Sequence, residues 1–140
     1  MIIENRTAKI VDLEKLQKLV KNVIVEELGS EPESELDILL TNDAEIAELN
    51  EKYRKKEGPT DILSFEYGLN EAVIGDIMIS LETIARQAEE YGNAFEEELG
   101  LMIVHGVLHI LGYNHELNDE EASEMFERQQ KYFDRFVKEG

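Results

Sequence analysis

His105, His109 and His115 are the only histidines in a chain of 140 residues, and all fall within one eleven-residue stretch. A step of four residues places His105 and His109 on one face of a helix, where both rings can reach one ion. Gly112 lets the chain turn sharply beyond that helix, so that His115 can return toward the first two. Three neutral imidazoles around one ion, with a fourth position left to water, is the arrangement of a catalytic zinc site. A lone histidine on an apolar helix is usually a core residue bonded to backbone. Here the spacing, the glycine at the turn and the lack of histidine elsewhere together favour metal. The chain has no cysteine, so any transition metal must be held by nitrogen and oxygen.

The spacing of the segment His105-Gly106-Val107-Leu108-His109-Ile110-Leu111-Gly112-Tyr113-Asn114-His115 matches the long zinc-protease motif, in which a glutamate follows the first histidine. That glutamate activates water for peptide hydrolysis. Gly106 stands in its place and has no side chain to take a proton. A protease would need another base, Glu116 or Asp76.

The elements that carry these residues follow from periodicity. Between Leu99 and Leu111 every residue other than the two histidines is apolar or glycine, which predicts a buried helix over 94–111 with both rings aimed into the core or a cleft. Leu13, Leu16, Leu19, Val20, Val23 and Ile24 recur at helical spacing within a predicted helix over 11–28, ended by Gly29. Short strands are predicted near Ile2-Ile3 and over 36–40. Asn42 and Glu45 resemble a capping box opening a helix to about Tyr53. Residues 61–67 and 72–80 predict a strand pair, with Gly75-Asp76 marking a bulge or a close backbone approach. Ser80 caps a helix to about Tyr91, Gly92-Asn93 breaks it, and Asn118 with Glu121 caps a last helix to about Lys138. The expectation is one α+β domain over 1–140, a small mixed sheet packed with helices around the histidine-bearing helix.

The histidine segment resembles the signature H-G-x-L-H-x-x-G-Y-D-H of the YbeY family, the zinc-dependent endoribonucleases of rRNA maturation, departing only at Asn114, where the family usually has Asp. Asn50, Tyr53 and Arg54, followed by Thr60-Asp61-Ile62-Leu63-Ser64-Phe65, are similar to that family's N-x-x-Y-R and T-D-V-L-S-F, and Gly75-Asp76-Ile77-Met78-Ile79-Ser80 to its G-D-I-x-I-S strand. The resemblance implies one zinc ion on His105, His109 and His115, and cleavage of single-stranded RNA, in the family's case at the 3′ end of 16S rRNA and in ribosome quality control. It also implies a catalytic role for Arg54, whose planar fork suits a phosphate. The attacking group is either metal-activated water or an RNA 2′-hydroxyl. Asn114 keeps a hydrogen-bonding oxygen but loses the charge of the family's Asp.

With 32 acidic against 14 basic residues the formal charge is −18, which opposes non-specific binding to nucleic acid or an anionic membrane. Lys52, Arg54, Lys55 and Lys56 form the only dense basic cluster; the lysines are either phosphate contacts or a solvated face. Ser64 and Asp76 are candidates to line a cleft, and Met125 either packs beneath the site or belongs to the ordinary core. No secretory signal or spanning segment is evident, so a cytoplasmic protein working with rRNA precursor and the ribosome is expected. Two other classes compete: a metalloprotease-like hydrolase without the usual glutamate, and a non-catalytic ribosome-assembly factor that uses zinc only to hold its fold.

Overall fold

Leu36, Ile38 and Leu40 are buried along one side of strand β2 (Glu35–Thr41), while Asp37 and Leu39 alternate to the other, the period expected of a strand covered mainly on one face. The computed structural model describes residues 2–30, 35–54, 62–67, 73–113 and 119–138; the side chains of Tyr53, Arg54, Glu66 and Asp119 lie outside that description. Three further strands flank β2: β1 (Ile2–Asn5), β3 (Ile62–Glu66) and β4 (Val73–Ser80). The order is β1-β2-β4-β3, with β1 and β4 parallel to β2 and β3 antiparallel to β4. The sheet is therefore mixed, as expected.

The glycine in β4 does both things its position suggested. The register with β2 slips so that Glu35 faces Val73 while Leu36 faces Gly75. A Cβ on Gly75 would also stand 2.4 Å from Ile110 Cδ1 and 2.8 Å from the Phe65 carbonyl oxygen. Only glycine lets β4 run that close to its neighbours.

Among the described residues there are five α-helices: α1 (Leu13–Leu28), α2 (Asp43–Arg54), α3 (Leu81–Tyr91), α4 (Phe95–Ile110) and α5 (Asp119–Tyr132). Asp12 caps α1 by accepting from the Lys15 amide at 3.1 Å, and Ser80 caps α3 through the Thr83 amide at 3.3 Å, each satisfying a first-turn donor. Helix α4 is the hub: Leu99, Ile103, Val104, Val107, Leu108 and Ile110 are buried in one cluster with Leu19, Val20 and Val23 of α1 and Ile77 and Ile79 of β4. An apolar circumference of this kind belongs to a helix packed on several sides.

Two expectations are modified. Asn42 does accept from the Glu45 amide at 2.9 Å, but the Glu45 carboxylate takes the Thr41 hydroxyl at 2.6 Å and Arg6 at 3.0 Å instead of closing the box. The last helix, expected to run uniformly to about Lys138, continues from Phe133 to Lys138 as a π-helix. Its wider i→i+5 turn places Tyr132 and Phe133 in the core and brings Phe136 and Val137 against it as adjacent pairs. The predicted cap at Asn118, and the positions Asp61 and Ala72 that begin the two predicted strands 61–67 and 72–80, lie outside the described residues.

Candidate metal and RNA site

His105 and His109 face one another from successive turns of α4. Their Nε2 atoms are 3.1 Å apart, and the rings meet edge to face with centroids 4.6 Å apart. Both side chains are half-buried, so the pair lies at the margin of the core. His105 Nδ1 lies 2.7 Å from Gln129 Oε1 on α5. An amide oxygen only accepts, so Nδ1 carries the proton and Nε2 keeps its lone pair on the side of His109.

These donors fit a zinc ion. Two nitrogens bound tetrahedrally at ordinary zinc distances stand about 3.3 Å apart, close to the separation found here. Neutral imidazole is a ligand that zinc accepts in the absence of thiolates. Among the described residues no three His, Cys, Asp or Glu side chains gather into one metal-holding group. His115, with Asn114 and Glu116, lies outside the described residues.

Helix α4 ends in a tight turn. Gly112 has φ +109°, the Gly112 amide donates to the His109 carbonyl at 3.0 Å and the Tyr113 amide to Leu108 at 3.0 Å. This is a Schellman closure, which needs a residue free of Cβ strain. It turns the chain one residue before Tyr113. The Glu27 carboxylate of α1, whose side chain is 5% exposed, accepts from Arg128 at 2.7 Å and from the Tyr132 hydroxyl. The Arg128 guanidinium lies 5.6 Å from the centre of the Tyr113 ring.

Burial pushes the Tyr113 phenol up to about 12, helped by Glu27 as hydrogen-bond partner and as negative charge, with Arg128 opposing in part. The same leading causes raise Tyr132. A phenol raised in the folded state holds its proton more tightly there than in the unfolded chain. Its contribution to stability is therefore complete below the ordinary value near 10 and is lost as pH climbs toward 12. Subtracting the tyrosinate absorbance titration of Tyr113→Phe from that of the parent chain should leave a component centred near 12. A component near 10 would contradict this environment.

Gly106 explains why glutamate is missing from the protease-like spacing. A Cβ there would sit 2.7 Å from Ile62 Cδ1 and 3.2 Å from Ile77, so the position is where α4 presses on the sheet. Ser64 pairs with Ile77 on that same face, whereas Asp76 alternates to the opposite face and accepts from the Tyr67 hydroxyl at 2.6 Å. Asp76 is thereby separated from the α4 histidines by the sheet. Met125 is buried in the central cluster. Lys52 is exposed on α2, and Arg54 ends that helix; Lys55 and Lys56 lie outside the described residues. Gln129 and Glu27 escaped the sequence reasoning. The available signal for Gln129 was a polar residue on the Met125–Tyr132 stripe of α5.

Residues 2–137 match the protein family described as Endoribonuclease YbeY. The chain belongs to that family. It is 46% identical over 138 residues to Endoribonuclease YbeY of Petrotoga mobilis, covering 99% of this chain and 95% of that protein. Against the YbeY of Bacillus velezensis it is 39% identical over 136 residues, covering 89% and 85%. A solution structure of a Thermotoga maritima protein aligns with a TM-score of 0.71 at 34% identity, over 99% of this chain and 89% of that one. No helix among the described residues is long and apolar enough to cross a membrane. As a member of the YbeY family the chain is a hydrolase of RNA phosphodiester bonds.

Proposed function

We propose that residues 1–140 act as one zinc-dependent, single-strand-specific endoribonuclease domain, with the ion held by His105, His109 and His115. The observation that supports this best is the facing pair of imidazole nitrogens, 3.1 Å apart, in the segment that carries the YbeY signature. A bound zinc ion supplies Lewis acidity, lowering the pKa of a water toward neutrality and polarising a phosphoryl oxygen. Arg54 binds the scissile phosphate and stabilises the negative charge that develops on its oxygens. The attacking oxygen belongs to water or to the adjacent RNA 2′-hydroxyl, and product end groups separate the two: a 2′,3′-cyclic phosphate identifies the 2′-hydroxyl.

The enzyme acts in the cytoplasm on rRNA precursor, at the 3′ end of 16S rRNA and in ribosome quality control. Adding the two charges of one zinc ion to −18 still leaves −16, so free RNA binds weakly and with strong salt dependence. A ribosomal partner then supplies most of the targeting, with Lys52, Lys55 and Lys56 as the local phosphate contacts. Zinc-loaded protein should cut a single-stranded RNA oligonucleotide and spare the matching duplex and unfolded casein. Casein cleavage without RNA cleavage would favour the protease-like alternative. Zinc-dependent folding with neither activity would favour the assembly factor.

A further inference from the structure

We infer that Gln129 is a positioning residue of the metal centre: its amide oxygen selects the ring orientation and tautomer of His105 that turn Nε2 toward the ion. The inference rests on the zinc reading above and extends it to a residue on another helix. Its basis is the 2.7 Å contact between Gln129 Oε1 and His105 Nδ1, together with the 3.1 Å approach of the two Nε2 atoms. A histidine ring rotates about two side-chain bonds and offers either nitrogen. Binding one nitrogen to a fixed acceptor removes that freedom before a ligand arrives, and such outer hydrogen bonds orient ligating histidines.

The acceptor is itself held. Gln129 follows Met125 by one turn and precedes Tyr132, and both neighbours are buried in the central cluster. Arg128, the adjacent residue, ties α5 to Glu27 of α1 at 2.7 Å, and Tyr132 bonds to the same carboxylate. Helix α5 is thus clamped to α1 on one side and presents Gln129 to α4 on the other. The choice of an amide has a chemical consequence. A carboxylate would orient the ring equally well but add negative charge beside a site that receives a phosphodiester, on a chain already at −18. The neutral oxygen fixes the imidazole without that repulsion.

The test compares the parent chain with Gln129→Met, which fills similar space without an acceptor, and Gln129→Glu, which keeps one. Zinc affinity is measured by competition with a chromophoric chelator. The His105 tautomer is measured by ¹⁵N NMR of the metal-free chains above pH 8. The expected result is Nδ1–H at His105 in the parent and Gln129→Glu chains, and a shift toward Nε2–H in Gln129→Met. Zinc affinity should fall about 10- to 100-fold in Gln129→Met and hold in Gln129→Glu, whose RNA cleavage nevertheless slows. Parent-like tautomer and affinity in Gln129→Met would overturn the inference, as would equal affinity losses in both variants, the mark of a packing role alone. Failure of all three chains to bind zinc would overturn the zinc reading instead, and the parent's tautomer would still report whether Gln129 orients the ring.

Discussion

His109→Ala should release zinc and abolish RNA cleavage in the same preparation. On the proposed ligand set the substitution removes a metal bond, so the loss should exceed the 10- to 100-fold cost of losing an outer hydrogen bond; about 10³-fold or more in affinity is expected. The substitution is structurally mild for the rest of the fold, because His109 is half-buried beside His105. The residues that carry the α4 packing, Val107, Leu108 and Ile110, are untouched. Zinc content after dialysis and the initial rate on a single-stranded oligonucleotide check the prediction, with far-ultraviolet circular dichroism confirming that the helices remain. A folded variant that keeps stoichiometric zinc would remove His109 from the ligand set.

Arg54→Ala should give the complementary result: zinc retained, cleavage reduced by about 10²- to 10³-fold, the usual scale for losing one donor aimed at developing charge. The loss belongs in kcat more than in KM if Arg54 acts on the transition state. Arg54→Lys should recover little, since an ammonium keeps the charge but not the planar fork. Cleavage at the parent rate by Arg54→Ala would show that the residue merely ends α2, where a cation complements the helix dipole. The two substitutions together separate holding the ion from using it.

Much of this architecture was legible in the chain because local rules and tertiary packing agree. Apolar periodicity located α1 and α4, Ser80 marked a helix start, and Gly29, Gly92 and Gly112 marked ends that all take positive φ. The metal candidates were legible for the same reason: His105 and His109 lie on one helix, where spacing alone determines whether two rings meet. What spacing could not give was contact across elements. Gln129 reaches His105 from 24 residues away, and Glu27 meets Tyr132 across 105, so neither partnership leaves a periodic trace. The face of Asp76 was likewise undetermined until the register of β4 against β3 was known. Likewise, the Glu45 carboxylate is engaged by Arg6, 39 residues away in sequence, as well as by neighbouring Thr41.

Glycine illustrates the limit from the other side. In the sequence Gly106 argues against a protease by lacking a base; in the fold it is also the point where α4 touches Ile62 and Ile77. One atom's absence therefore serves packing and reaction class together. The charge is similar. At −18 it opposes loose RNA binding, yet it says nothing against a local site built from imidazoles, one cation and Arg54.

In the proposed function, one zinc ion on the three histidines makes this chain an RNA-cutting enzyme. Stripping the protein of metal and titrating zinc back, while following cleavage of single-stranded RNA, tests it most directly. No cleavage is expected without metal, followed by a linear rise that breaks at one zinc per chain. Cleavage that persists in the stripped protein, or a fully zinc-loaded protein that cuts no RNA, would contradict it.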